Sequence, residues 1–237
     1  MGWKAASIII SNVTTVDAEK LLQELGFEQF TTIDDEPYDV AVYPEKCQIF
    51  IGVYKNNLFI SSWEITDHSF GKELSTFEQK LSNLFPASEI CTIQLHSGVN
   101  HWGYAIVKNG EKIRVRCGNA DQGTIIELGE PLLEEQELLS KSEIKDGRRI
   151  YHLRDDEPYE EDQVGENFVS SIWARYTGKE FFEDEDMFEF MLSGFNTTKA
   201  VSSTQPTHKK QSASNQQSVT DQQSENTNVT KPWWKFW

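Results

Sequence analysis

The chain has 237 residues and a mass of 27.2 kDa, room for one globular domain with an appendage. With 22 Lys and Arg against 38 Asp and Glu, its formal charge is −16, which argues against a general nucleic-acid binder, since such a protein needs cationic surface to displace counterions. No stretch approaches the roughly 20 apolar residues of a membrane span, and the first apolar run, Ala5 to Ile10, is too short for the core of a signal peptide.

Taken in chain order, the pattern predicts an α+β domain. Lys4 to Ile10 is a β-branched run and reads as a strand. A helix follows from an N-cap at Thr14 or Thr15 through Leu25, with Ala18, Leu21, Leu22 and Leu25 on one face and Gly26 as its stop. Gln48 to Tyr54 and Leu58 to Glu64 flank Lys55-Asn56-Asn57 and read as a hairpin. Ser75 and Glu78 form a capping box before a helix that ends at Pro86. Glu89 to His96 is the next strand. His101 to Val107 and Lys112 to Arg116 flank Asn109-Gly110, the strongest short hairpin signal in the chain. Thr124 to Leu128 and Arg149 to Leu153 read as further strands, and Pro131 to Lys141 as a helix. Asp162 opens an amphipathic helix with Val164, Phe168, Val169, Ile172, Trp173 and Tyr176 at helical spacing, closed by Gly178. Met187 to Leu192 reads as a last short helix. The expected fold is a mostly antiparallel sheet of six or seven strands, covered on one face, with three to five helices.

Asp34-Asp35-Glu36-Pro37-Tyr38 recurs as Asp155-Asp156-Glu157-Pro158-Tyr159, and both copies read as acidic turns with an anchoring Tyr. The cysteines Cys47, Cys91 and Cys117 are odd in number and lack Cys-x-x-Cys spacing, so neither a disulfide scaffold nor a structural zinc site is expected. All three lie in strand-like runs and read as buried, reduced thiols, which places the chain in the cytoplasm. The opening Met1-Gly2 has Ala6 where a myristoylation signal needs Ser or Thr.

Composition divides the chain near Phe195. Residues 1–195 carry 17 basic and 36 acidic side chains, a net of −19, and residues 196–237 a net of +3. In 196–230, 23 of 35 residues are Ser, Thr, Gln or Asn and none is aromatic. Such a segment cannot bury enough surface to offset ordering, and reads as a disordered tether. The last seven residues, Lys231, Pro232, Trp233, Trp234, Lys235, Phe236 and Trp237, then hold three of the seven Trp of the chain. They read as a contact peptide, inserting aromatic anchors into a protein groove or lying weakly on an anionic membrane.

His101-Trp102-Gly103 entering a hairpin resembles the histidine strand of papain-like cysteine hydrolases, which would pair His101 with Cys117 or Cys91. In that family the thiolate opens a helix, and here neither Cys does. His96 and His101 lack a third ligand at metal spacing, and the clusters Glu160-Glu161-Asp162 and Glu183 to Asp186 lack the rhythm of a calcium loop. No cofactor or metal is expected. Trp102-x-x-Ala105, Asn109-Gly110, Arg114, Asp121-Gln122-Gly123-Thr124 and Gly129-Glu130-Pro131-Leu132 together resemble the core of a bacterial domain family of unknown function, over residues 90–140. His101, Arg114, Asp121 and Glu130 are the candidate site of the globule. The functional expectation is a non-enzymatic interaction protein that docks through residues 231–237. The alternatives are peripheral membrane association, a Cys–His hydrolase, and an acidic immunity or antitoxin-type binder of a basic protein.

Overall fold

A computed structural model describes residues 3–154, 157–181 and 183–198. Both the Trp-rich peptide 231–237 and all but the first three residues of the expected tether lie outside the described residues, as does Asp155-Asp156 of the second acidic run.

The hairpins form where turn chemistry allows a left-handed backbone. Strands β3 (Gln48–Tyr54) and β4 (Asn57–Ser61) turn at Lys55 and Asn56, with φ of 47° and 60°. Strands β6 (His101–Lys108) and β7 (Glu111–Asn119) turn at Asn109 and Gly110, with φ of 52° and 75°. Positive φ at both central residues gives the turn twist that matches paired strands. Helix α1 (Ala18–Leu25) is capped by Asp17, whose carboxylate accepts the Lys20 amide at 3.0 Å, and ends on left-handed Gly26. The cap is therefore Asp17, not Thr14 or Thr15. Helix α4 (Thr76–Leu84) carries the expected capping box of Ser75 and Glu78.

The remaining elements are β1 (Lys4–Ser11), β2 (Phe30–Pro37), α2 (Tyr38–Ala41), α3 (Trp63–Thr66), β5 (Glu89–His96), β8 (Gly123–Leu128), α5 (Leu133–Ser140), β9 (Ser142–Lys145), β10 (Arg148–Tyr151), β11 (Tyr159–Glu160), α6 (Glu161–Thr177) and β12 (Met191–Thr197). Nine strands form one antiparallel sheet in the order β2-β12-β3-β4-β1-β5-β6-β7-β8, and β11-β10-β9 form a small second sheet. The strand count exceeds the expected six or seven.

Strand β1 sits near the middle, pairing Ile8 with Ile60 of β4 and Ile9 with Cys91 of β5. Its neighbouring side chains enter different cores. Ile8 and Ile10 join Leu21, Leu22 and Leu25 of α1 and Leu81 of α4. Ala5 and Ile9 join Phe168, Ile172 and Trp173 of α6. The sheet is thus covered on both faces, not one. A run of Ala5 to Ile10 with no polar residue but Ser7 is what a strand buried on both sides requires.

Three further expectations are corrected. Met187–Leu192 is not a helix: a short 3-10 turn over Glu185–Glu189 leads into β12, which inserts between β2 and β3. Asp34, Asp35, Glu36 and Pro37 form no free turn but belong to β2, with Met191 opposite Pro37, and Tyr38 is buried at the start of α2. Cys47 is not in a strand; it lies between α2 and β3 with φ 67°. The fold also runs past the compositional boundary at Phe195, since Asn196 and Thr197 pair with Thr31 and Phe30.

Candidate functional site

The densest polar chemistry of the described residues lies under α5 and α6. In β7, Arg114 and Arg116 alternate with Val115, so both guanidiniums project to the face that these helices cover, and neither has exposed side-chain surface. Glu135 of α5 is equally buried. Its carboxylate accepts Arg114 Nη2 at 2.5 Å, Arg114 Nε at 2.9 Å, the Tyr104 hydroxyl at 2.6 Å and the Leu132 amide at 2.7 Å. Arg114 Nη1 also donates to the Gly129 carbonyl at 2.7 Å, and Nη2 to Glu127 at 2.9 Å. Arg116 bonds Glu161 at the start of α6 and donates to the Tyr151 hydroxyl at 3.0 Å. Its guanidinium lies over Phe168, 4.2 Å from the ring centroid.

Burial alone would lower the Arg114 pKa, but the Glu135 and Glu127 carboxylates outweigh it and the pKa rises. Burial pushes the Tyr104 and Tyr151 hydroxyls up, so both stay protonated donors. Burial would likewise raise Glu127, yet its bond to Arg114 holds it below the usual carboxylate range. The cluster consists of fixed charges in ion pairs, with Arg116 Nε and Nη1 buried at ion-pair distance from Glu127 and Glu135 but without a hydrogen bond, and its chemistry is that of a structural tie between β7 and two helices. Helix α6 can come this close because Gly165 lies against the Trp102 indole, where a Cβ would overlap the ring.

The predicted site residues do not converge. Arg114 is at the centre of the cluster. Asp121 sits in the exposed β7–β8 turn, where the Asn119 side chain caps its amide at 3.0 Å, and Glu130 is exposed after β8. His101 is on the opposite face of β6 from Trp102 and Tyr104; its Nε2 lies 3.1 Å from Gln94 Oε1. Burial lowers its pKa to about 4, against an opposing bond to the Gly118 backbone. Sequence reading missed Arg116, Glu135, Glu161, Tyr104 and Tyr151. The i, i+2 pair of arginines in a strand otherwise buried was the available signal.

The two strand thiols are tuned away from nucleophilicity. Burial pushes Cys117 up to about 11 and Cys91 higher still, whereas an attacking thiol needs a lowered pKa. No group of three or more His, Cys, Asp or Glu among the described residues is placed to hold a metal ion. No described helix is long and apolar enough to cross a membrane.

Two of the cavities on the surface of the described residues are lined by charged side chains. One, of about 540 Å³, lies where Lys55, Lys108 and Arg175 approach Glu89 and Asn57. Its cations are already engaged: Arg175 and Lys108 with Glu89, and Lys55 with Asp184. The other, of about 260 Å³, lies between the β7–β8 turn, the β9–β10 hairpin and the start of α6.

An antiparallel sheet clad by helices on both faces thus encloses the polar cluster. The chain belongs to a family of unknown function, DUF6928, whose model matches residues 11–146. Membership of a domain family of unknown function, read from residues 90–140, is thereby shown. No curated protein and no solved structure matches the chain. The matched segment is shorter than the folded body: nearly all of β1, together with α6 and β12, lies outside it.

Proposed function

We propose that the protein is a non-enzymatic interaction protein that docks into a groove on a partner protein through Lys231–Trp237. The observation that carries this reading is compositional: four aromatic rings fall within seven residues, after 35 residues with none. Each ring buries about 150–250 Å² when packed, so at ~25 cal/mol/Å² four offer roughly 15–25 kcal/mol gross. Ordering and association costs consume most of that, and micromolar affinity is expected. Lys231 and Lys235 bracket the paired Trp and supply orientation. The globule supports the reading by what its polar groups do. Its buried arginines each contact a carboxylate, and burial raises the pKa of both strand thiols.

The test removes Lys231–Trp237 and compares co-purified proteins and liposome flotation with the full chain. A protein recovered only by the full chain is the expected result. Identical recovery from both chains contradicts docking by the peptide, and flotation on anionic liposomes without any protein partner transfers the peptide's role to the membrane.

A further inference from the structure

The nine-stranded sheet ends in two unlike edges. At one end, β2 carries Asp34, Asp35, Glu36 and Pro37. Clustered charge and proline are features that keep a second chain from adding to an open edge. At the other end, β8 reads Gly-Thr-Ile-Ile-Glu-Leu and carries one charge. It pairs with β7 alone, and no described strand lies on its outer side. A bulge at Ile125, between the pairs Gly118–Thr124 and Cys117–Ile126, breaks its ladder. Bulges of this kind re-aim side chains at sheet edges, and here the flanking Thr124 and Glu127 both line the 260 Å³ cavity.

That cavity has one uncommitted acid and one uncommitted hydroxyl. Glu127 and Glu161 are held by Arg114 and Arg116. Asp162 accepts the Asn100 side-chain amide at 2.9 Å, Glu160 pairs with Arg148 at 3.3 Å, and Arg149, which also lines the cavity, is turned to the Ser142 hydroxyl at 2.9 Å. The Asp121 carboxylate makes no hydrogen bond or ion pair among the described residues, and the Thr124 hydroxyl oxygen is buried without a hydrogen-bond partner. Ile144 on the same wall is 61% exposed, a surface suited to the hydrocarbon stem of a long basic side chain.

We propose that the β8 edge accepts an extended, basic segment of a partner protein as an added strand, with one Lys or Arg side chain entering the cavity lined by Asp121, Thr124 and Ile144. The backbone ladder would supply affinity. The two-residue period of a strand would put every second side chain on the cavity side and supply selectivity. Charge selects the class of partner. Residues 1–195 carry a net of −19, which attracts a basic segment and repels a second copy of this chain. The proposal does not rest on the terminal peptide and stands or falls without it.

The experiment screens a displayed library of random nine-residue peptides against the full-length protein and maps bound peptides by amide hydrogen exchange. Enriched peptides should share one fixed Lys or Arg position and slow exchange across Gly123–Leu128. Asp121→Lys, in an exposed turn, should weaken them about tenfold by placing like charges together, with no change in the unfolding midpoint; Thr124→Val should weaken them less. Failure to enrich any peptide, enrichment without basic bias, protection elsewhere, or full affinity in Asp121→Lys would each overturn the proposal.

Discussion

The two faces of the sheet are built from different materials. Against α1 and α4 the core is mostly hydrocarbon: Ile8, Ile10, Leu21, Leu22, Leu58 and Ile60, with the buried pair Glu78–Lys112 at the start of α4. Against α5 and α6 it is aromatic and ionic, with Trp102, Tyr104, Phe168 and Trp173 packed around Arg114 and Arg116. A hydrocarbon face is held by area and volume, which many side chains can supply. An ionic face is held by specific partnerships, and the loss of one member strands the others in a medium that cannot solvate them. The first face should therefore be tolerant and the second specific.

The largest expected break is on the ionic face. Glu135→Leu leaves the buried Arg114 without its closest carboxylate and the Tyr104 hydroxyl without its acceptor. Urea unfolding should show a loss of about 3–5 kcal/mol. Adding Arg114→Met should recover much of it, since a buried pair replaced by apolar groups is nearly neutral; a double variant as weak as the sum of its parts would contradict a closed partnership.

A smaller effect is expected on the other face. The His101 imidazole falls from 6.5 to about 4 on folding, so the unfolded chain binds the extra proton first. Stability should be complete above pH 6.5 and should fall by about 3 kcal/mol as the pH drops toward 4. Glu89 and Glu127, whose carboxylates sit below the usual range, add to this loss at the acid end. His101→Gln should flatten the slope between pH 6.5 and 5, and an unchanged slope would show that His101 is not its source. The smallest effect belongs to the hydrocarbon interior: Ile60→Val should cost about 1 kcal/mol, and a loss as large as that of Glu135→Leu would erase the contrast between the faces.

What the sequence made legible was local. Asn109-Gly110, the capping box at Ser75 and the helix closed by Gly178 are each set by residues a few positions apart, and each is found where expected. Asp146-Gly147, with φ of 51° and 80°, turns the β9–β10 hairpin and carried the same signal unread. Distant pairings were not legible. The acidic run in β2 looks like a turn until β12, more than 150 positions later, lies beside it. Arg114 could be picked out as a candidate, but its partner Glu135 is 21 positions away on a helix, and Glu161 is 45 from Arg116. Asp121 and Glu130 stand out in the sequence through the Asp-x-Gly and Gly-Glu-Pro-Leu turns that carry the family resemblance, whereas Glu135 and Glu161 lie on helices with no such motif.

The polar interior of the globule holds the fold, and the terminal peptide is proposed to make an outward contact of its own, apart from that of the β8 edge. The most direct test transfers residues 196–237 to an unrelated folded carrier and compares the proteins that it recovers with those recovered by the full chain and by residues 1–198. The account predicts that the carrier and the full chain share a partner that residues 1–198 fail to recover. A carrier that recovers none of the partners of the full chain would contradict it, whatever the β8 edge of residues 1–198 recovers.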